Sequence, residues 1–151
     1  MATLERNVDT ELMSIVERAA EFHGHLGPFL VIGVRIGLIG LRELKIKKKN
    51  ENLRVTAMLR NSVPFSCIID GIQVATKCTI GNQKLKLIDS PRIAAEFELH
   101  RDKLTVAVNP ATFNKLKGSL LSENVSTEET QKLAQMVASL PEEDLFIIRS
   151  K

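Results

Sequence analysis

Two histidines lie one residue apart in the stretch FHGHLGP, which covers residues 22–28. His23 and His25 are two of the three histidines in the chain, and imidazole nitrogens bind metal ions and transfer protons near neutral pH. Gly24 gives the backbone freedom to turn between the rings, and Pro28 suits the first turn of a following helix. The pattern favours two imidazoles directed into one region. Helix-end histidines that cap carbonyls or contact water fit the same spacing.

A second group of polar side chains falls in the stretch 67–81. Cys67 lies in the first turn of a predicted helix, where free N–H groups and the helix dipole favour an anion. We therefore expect its thiolate to be more accessible than that of an average cysteine. Asp70 and Gln73 follow three and six residues later, on roughly the same helix face. For each cysteine taken alone, a buried core position is the alternative explanation.

Cys78 is eleven residues beyond Cys67. A continuous helix would separate the two by about 16 Å, which is too far for them to bind one metal ion. Either the helix ends before Cys78 and the chain folds back, or only one cysteine belongs to the site. The spacing also excludes a zinc knuckle, which uses close cysteine pairs. We expect Cys67, rather than Cys78, to join His23 and His25, because Cys67 and the histidine turn both lie at helix N-termini.

The elements that position these side chains follow from apolar spacing and turn residues. The pattern predicts an α+β fold, with one mixed or antiparallel sheet and helices packed on it, as a single domain over residues 1–151. We expect the three strands within residues 84–109 to be sequential and antiparallel, because short turns separate them. In chain order, the predicted elements are helices at 9–21 and 28–44, a strand at 53–60, a helix at 64–76, strands at 84–89, 93–99 and 104–109, helices at 110–117 and 126–140, and a strand at 146–148.

The second predicted helix is apolar nearly all round, so it should be central to the fold. Gly33, Gly37 and Gly40 recur at intervals of four and three residues, which places them on one helix face. Small residues there allow another backbone to come close. That backbone belongs either to an element of the same chain or to a second subunit, and we predict a homodimer.

The amino-acid composition limits the classes of protein to which this chain can belong. Hydrophobic residues at 44% and charged residues at 26% are typical of a soluble globular protein. The basic cluster at 45–49 lacks interleaved aromatics, so we expect no nucleic-acid partner. The apolar run at 26–41 contains Arg35 and is too short to cross a membrane, so no membrane partner is expected either. No signal-peptide pattern opens the sequence, which favours a cytoplasmic location and argues against a disulfide between the two cysteines.

Taken in order, the stretches at 22–28, 67–73 and 76–81 resemble the E-subunit family of formylmethanofuran dehydrogenase. Its signature is approximately F-H-G-H-L-C-P-G, followed by C-x-x-D-A-I-Q-x-x-T-G-C-T-x-G-K. The resemblance covers roughly residues 15–110 and implies an α-β-α-β-β-β core with a metal-associated cleft. It also implies dimers in the cytoplasm of archaea and anaerobic bacteria.

The resemblance assigns a divalent metal, zinc, to a set of His and Cys ligands. Asp70 is then the candidate catalytic residue, either as a general base or as a residue that orients a ligand. Gly27 stands where the family has its first cysteine, and Asn82 stands where it has the closing lysine. The molybdopterin and iron–sulfur sites of the family's reaction lie in other subunits, which are possible partners, and this chain has no iron–sulfur cysteine pattern. The residues that match the family's metal-associated positions are His23, His25, Cys67 and Cys78.

Two functional hypotheses follow. The first is a small metal-binding domain with an open His/Cys site, accessory to one-carbon or redox metabolism, since an incomplete ligand set resembles catalytic rather than structural zinc. The second is a non-catalytic, dimeric binding or accessory module that has lost the metal. Gly27 favours the second hypothesis, whereas the retained histidines and cysteines favour the first. Whether the chain is an enzyme stays open.

Overall fold

The computed structural model describes residues 2–48, 51–123 and 125–150, with residues 2–9 described as backbone alone. Helices and strands both occur along the described chain. The helices are α1 (Ala2–His23), α2 (Pro28–Glu43), α3 (Cys67–Thr76), α4 (Pro110–Leu120), α5 (Thr127–Ser139) and the single turn α6 (Glu142–Leu145). The strands are β1 (Arg54–Leu59), β2 (Leu85–Asp89), β3 (Ala94–Leu99), β4 (Asp102–Val108) and β5 (Phe146–Ser150).

The five strands form one mixed sheet in the order β2-β1-β3-β4-β5. Strand β1 pairs with β2 in parallel, with Ala57 opposite Leu87. The other neighbours are antiparallel, with Ala57 opposite Ala95 and Val106 opposite Ile148. The α+β prediction with one mixed sheet is therefore confirmed.

The strands predicted within residues 84–109 are present, but one expected pairing is wrong. Strands β3 and β4 form an antiparallel hairpin, whereas β2 does not pair with β3 because β1 lies between them. Helix α3 is the reason, since it gives the chain a connection long enough to return β2 parallel to β1. The Asn61 N–H, just past the end of β1, donates to Asp89 Oδ1 at the end of β2.

Helix α2 lies at the centre of the molecule, as its apolar circumference predicts. Gly40 lies against Phe97 of β3, so that an added Cβ would come within 2.3 Å of the phenyl ring. Arg35 is the one charged residue of α2 before its last turn. Its Nη1 donates to the carbonyls of Val137 and Leu140, both at 2.7 Å. These bonds hold the C-terminal end of α5 on α2.

The glycine face of α2 packs against α3 of the same chain. A Cβ added at Gly33 would lie 2.1 Å from the Ile68 carbonyl oxygen, and one added at Gly71 would lie 2.3 Å from the Leu30 carbonyl oxygen. At Gly37, an added Cβ would meet the side chain of residue 75 at 2.7 Å. The glycines therefore serve a contact within the chain, so they no longer support the predicted homodimer, which stays a prediction.

Four helices differ from the sequence prediction by more than one residue. Helix α1 runs from Ala2 to His23 instead of 9–21, α3 begins at Cys67 instead of residue 64, α4 continues to Leu120, and α6 is not predicted. Amphipathic spacing locates helix faces well but fixes helix ends poorly, because the ends depend on capping and tertiary contacts. The predicted basic cluster at 45–49 lies partly outside the described residues. Within the described part of the chain, the structure has no helix with the length and apolar character needed to cross a membrane.

Candidate functional site

The end of α1 brings the two histidines together. Gly24 has a φ of +106°, which side-chain-bearing residues rarely adopt, and its N–H donates to the Ala20 carbonyl at 2.8 Å. This turn ends α1 at His23 and reverses the chain, so that His25 stacks on His23. The ring centroids are 4.7 Å apart and the ring planes meet at 30°. The expectation that the turn gathers two imidazoles is met.

Asp70 is bonded directly to the first of these rings. Its Oδ2 lies 2.6 Å from His23 Nδ1, a contact between the end of α1 and the first turn of α3. Because an ionised carboxylate only accepts hydrogen bonds, Nδ1 is the donor. Gln73 Nε2 donates to the other oxygen, Asp70 Oδ1, at 3.1 Å, and Gln73 Oε1 accepts from the Ile80 N–H at 2.9 Å. Asp70 is thus held from two sides and fixes the His23 ring.

The other nitrogen of His23 has no partner. Within the described part of the molecule, His23 Nε2 is the buried side-chain nitrogen or oxygen without a hydrogen bond. When the ring is neutral and Nδ1 is the donor, Nε2 carries a lone pair. A buried lone pair without a donor is unfavourable for folding, and a ligand bound at Nε2 would remove that cost.

Cys67 is near the histidines but is not activated. It lines the same cavity as His23 and His25. Burial first, and then the Asp70 carboxylate, raise the pKa of the Cys67 thiol. The expected accessible thiolate is therefore wrong. The N–H groups of residues 67, 68 and 69 donate to the carbonyls of residues 64, 65 and 66, so they are not free to stabilise an anion.

Cys78 lies elsewhere. Lys77, with a φ of +63°, ends α3, and Cys78 follows in the core with 2% of its surface exposed. Its thiol donates to the Leu53 carbonyl at 3.5 Å, and burial raises its pKa. It is not among the residues that line the cavity with the histidines. The structure therefore brings together His23, His25, Cys67 and Asp70, and leaves Cys78 outside.

The cavity beside the histidines has a volume of about 370 Å³. One wall comes from the histidine turn and the start of α2 and α3, as the sequence patterns predict. The rest of the lining comes from the end of α4 and from α5. Sequence spacing gives no signal for this part of the cavity, because these residues are about a hundred positions along the chain from the histidines. The residues of this part include Leu120, Leu121, Thr130 and Leu133.

The donors present fit a metal ion in part. The buried lone pair of His23 with a carboxylate on the opposite nitrogen is the arrangement found in ligating histidines of metal sites. Among the residues that the structure describes, however, no group of three or more His, Cys, Asp and Glu side chains is arranged to hold a metal ion. An ion therefore requires movement of side chains around the fixed His23 ring.

These features define an α+β domain with a cavity lined by two histidines and a cysteine, and the family follows from the comparison of the sequence. Residues 22–147 match the family described as "FmdE, Molybdenum formylmethanofuran dehydrogenase operon". The match covers most of the chain, including the whole FHGHLGP stretch at 22–28 and all of α3. The chain belongs to the FmdE family.

Two relatives add to this assignment. A protein of Archaeoglobus fulgidus, described as a "Probable S-adenosyl-L-methionine-binding protein", is 33% identical over 103 residues, which are 65% of this chain and 27% of that protein. The chain thus spans about a quarter of that relative's length. The crystal structure of a tungsten formylmethanofuran dehydrogenase FmdE-like protein from Syntrophus aciditrophicus is similar with a TM-score of 0.58, over 93% of this chain and 71% of that one. At 19% identity, the second similarity concerns the fold alone.

Proposed function

We propose that this chain is a small metal-binding domain in which His23 Nε2 is the anchoring ligand. The observation that carries the proposal is the buried, unpartnered Nε2 on a ring whose Nδ1 lies 2.6 Å from Asp70. A carboxylate in this position fixes the ring and its tautomer and raises the basicity of the ligating nitrogen. Asp70 is in this proposal a positioning residue rather than a general base.

His25 and Cys67 are the proposed further ligands, because they line the cavity with His23. Imidazole and thiolate donors suit zinc. With three protein ligands, the site keeps an open coordination position, and a bound divalent ion would there act as a Lewis acid on a substrate or water. The residues of this chain hold and orient that ion, and the apolar wall at Leu120 and Leu133 excludes bulk water. The accessory role in one-carbon or redox metabolism belongs to the same proposal.

Metal content tests the anchoring role of His23. The chain is purified without chelator, loaded with Zn²⁺ and analysed by mass spectrometry for bound metal. We expect about one ion per chain in the native sequence, and at least a hundredfold lower affinity in His23→Asn, which removes a ligand. His100→Asn is the matched control, because His100 is exposed in the β3–β4 turn at a φ of +56° that asparagine tolerates. Equal zinc affinity of both variants would contradict the proposal.

Gly27 offers a test in the opposite direction. A Cβ added there would lie 3.8 Å from His25 Nε2 and 3.5 Å from Thr130 Cγ2, which are ordinary contact distances. Its φ of −148° is open to any residue. Gly27→Cys therefore adds a thiolate beside the site without strain, and we expect zinc affinity to rise at least tenfold. Gly27→Ser is the control of similar size.

The second candidate is a binding module for a small organic molecule. Most side chains around the cavity are apolar, and about 370 Å³ lies within the range of small-molecule sites. Val63 and Leu121 line it while 80% and 39% exposed, so the mouth is apolar too. The relative from Archaeoglobus fulgidus makes S-adenosylmethionine the ligand to test. Calorimetric binding of it to metal-free protein, unaffected by His23→Asn, would favour this candidate over the metal.

The proposal also includes the assembly and location of the protein. We propose a homodimer in the cytoplasm, with other enzyme subunits as partners. Its support is membership of the FmdE family, since the glycine face of α2 is used within the chain. Sedimentation should give one species near twice the chain mass of 16.8 kDa. A monomer at high concentration would refute the dimer without affecting the metal proposal.

A further inference from the structure

A second cavity, here called the basic cavity, lies next to the histidine cavity. Its volume is about 400 Å³. A cluster of three phenylalanines forms the boundary, since Phe29 lines the histidine cavity, whereas Phe65 and Phe113 line the basic cavity. Phe29 contacts both other rings edge-on, with centroids at 5.4 and 6.4 Å. The two cavities share Leu121 but none of the proposed metal ligands.

Three cations from three different elements line the basic cavity. Arg60 follows β1, Arg92 lies in the turn between β2 and β3, and Lys117 is on α4. The lining residues include no Asp or Glu. Over residues 10–48, 51–123 and 125–150, none of the three cations forms an ion pair with a carboxylate, in contrast to Arg42, which bonds Glu142.

The positive charges at the basic cavity have no carboxylate among the lining residues. Arg60, Arg92 and Lys117 are exposed to solvent, and together they give this surface a positive potential. Asp89, close in sequence to Arg92, accepts from the Asn61 N–H and does not line the cavity. The Arg92 backbone is fixed by its N–H bond to Ser90 Oγ at 3.1 Å. The arrangement thus matches a ligand that carries more than one negative charge, such as a phosphate ester.

The remaining walls of the basic cavity are aromatic and apolar. Phe65 and Phe113 are half-buried, with centroids 6.4 Å apart and planes tilted by 46°. Arg60 lies over the Phe65 ring, with its Cζ 6.0 Å from the centroid. Pro91 and Pro110 add further apolar surface. Aromatic side chains beside cations favour a flat ring that is attached to phosphate, because both parts of such a ligand then find a complementary surface.

We propose that the basic cavity binds a nucleoside phosphate, with its base against Phe65 and Phe113 and its phosphates on Arg60, Arg92 and Lys117. This site is separate from the proposed metal site and adds a second ligand to the domain. No covalent step is involved. The failure of either proposal leaves the other intact, because the two sets of residues do not overlap.

Calorimetric titration of the full chain with ADP, adenosine and pyrophosphate tests the chemical class. We expect ADP to bind with at least tenfold higher affinity than adenosine or pyrophosphate, because only ADP uses both the rings and the cations. Affinity for ADP should fall as salt rises, since the phosphate contacts are electrostatic. Absence of ADP binding at millimolar concentration would overturn the proposal.

Variants locate the binding. Lys117→Ala is expected to weaken ADP binding roughly tenfold, because a hydrogen bond between charged groups is lost. Lys115→Ala is the matched control, since Lys115 is exposed on the same helix but does not line the cavity. Equal losses in both variants would show binding by diffuse surface charge and would refute the site. Tighter binding of a single-stranded oligonucleotide than of ADP, equally sensitive to Lys115→Ala, would refute it in favour of a nucleic-acid surface.

A third variant separates the aromatic contribution. Phe113→Leu keeps an apolar side chain, so far-ultraviolet circular dichroism should be unchanged. We expect it to lower ADP affinity several-fold while pyrophosphate affinity stays the same, because only the base contacts the ring. Should this variant unfold, the Lys117 and Lys115 pair decides the question alone. Equal loss for ADP and pyrophosphate in the folded variant would contradict the proposed orientation.

Discussion

Helix α3 has two faces that do opposite things. On one face, Gly71 and Ile68 lie against the backbone of α2, so closely that a single added Cβ would overlap a carbonyl oxygen at either Gly33 or Gly71. On the adjoining side, Asp70 bonds His23, and Cys67 lines a cavity of about 370 Å³. The first face has no free space, whereas the second has an unpartnered nitrogen and an open volume. Tight helix packing on one side therefore lies directly beside a cavity and an unpartnered nitrogen on the other.

The contrast shows where precision comes from in this site. A contact between helix backbones has one allowed distance, because backbone atoms do not rotate away as side chains do. Gly71 is one residue from Asp70, so the same contact fixes the position of the carboxylate relative to α1. The hydrogen bonds of Asp70 to His23 and Gln73 then set the direction of the carboxylate. Substitutions on each side of α3, and one far from both, test whether the helix contact and the site side chains have separate roles.

Gly71→Ala should disturb the protein most. The new Cβ would lie 2.3 Å from the Leu30 carbonyl oxygen and 2.6 Å from the Val34 nitrogen, so α2 and α3 must separate. We expect the free energy of unfolding to fall by about 3 kcal/mol or more, measured by urea denaturation. Gly118→Ala is the control, because no atom lies within 4 Å of its added Cβ. In an exposed helical position that change should stabilise by about 0.5–1 kcal/mol.

Asp70→Asn should affect the site and spare the packing. The amide keeps the size of the side chain but loses the charge that orients His23. We expect zinc affinity to fall roughly 10- to 100-fold, as for other residues that support a ligating histidine, with a change in the free energy of unfolding of about 1 kcal/mol. Competition with a fluorescent chelator measures the affinity. A loss of stability as large as that of Gly71→Ala would erase the distinction between the two faces.

The reactivities of the two cysteines show how accessible the chain is at the beginning of α3 and just after its end. Cys67 is half-buried beside the cavity and Cys78 is 2% exposed in the core. We expect iodoacetamide to modify Cys67 at least ten times faster than Cys78 at one pH, because access limits the second reaction. Zinc should protect Cys67 strongly and Cys78 less, as measured by site-by-site mass analysis. Faster modification of Cys78 would place the accessible thiol at the wrong end of the helix.

An exposed ion pair far from both sides of α3 shows how small a stability effect a surface substitution should have. Arg42 Nη1 lies 2.6 Å from Glu142 Oε1, and this hydrogen bond, followed by the charge of Arg42, lowers the pKa of the Glu142 carboxyl while burial opposes the shift. A lowered pKa stabilises the fold above the ordinary value of 4.5, and the gain is lost as the pH falls through the lower folded-state value. Glu142→Gln should therefore cost about 0.2–1 kcal/mol at pH 7 and nothing in acid. A difference that persists in strong acid would exclude the ion pair as its cause.

The sequence predicts which side chains meet at the cavity better than it predicts their surroundings. His23, His25 and Cys67 are expected together and line one cavity. For Asp70 the sequence leaves two roles open, a general base or a residue that orients a ligand. The prediction of an accessible Cys67 thiolate failed because burial and then the Asp70 carboxylate raise the pKa of the thiol. A preceding turn also occupies the first N–H groups of α3. The local sequence pattern locates the N-terminus of a helix, but it does not show whether the N–H groups there are free to bind an anion.

Strand pairing failed for a related reason. Alternation of apolar residues predicts that β2 and β3 are strands, yet it does not name their neighbours. A crossover through α3 placed β1 between them. The sequence also did not predict that Thr130 and Leu133 line the cavity with the histidines. A single sequence does not show which distant residues lie close together in the fold. The α+β class was predictable because it depends on element type and order alone.

The position of β1 bears on how this protein is made. Both neighbours of β1 follow it in the chain, so a ribosome releases β1 before either partner exists. Its two hydrogen-bonding edges stay without a sheet until β2 and β3 have emerged, the last of them ending at Leu99. Unpaired strand edges recruit other extended chains. During synthesis, β1 therefore exposes both edges and its apolar face until β2 and β3 have emerged and paired with it.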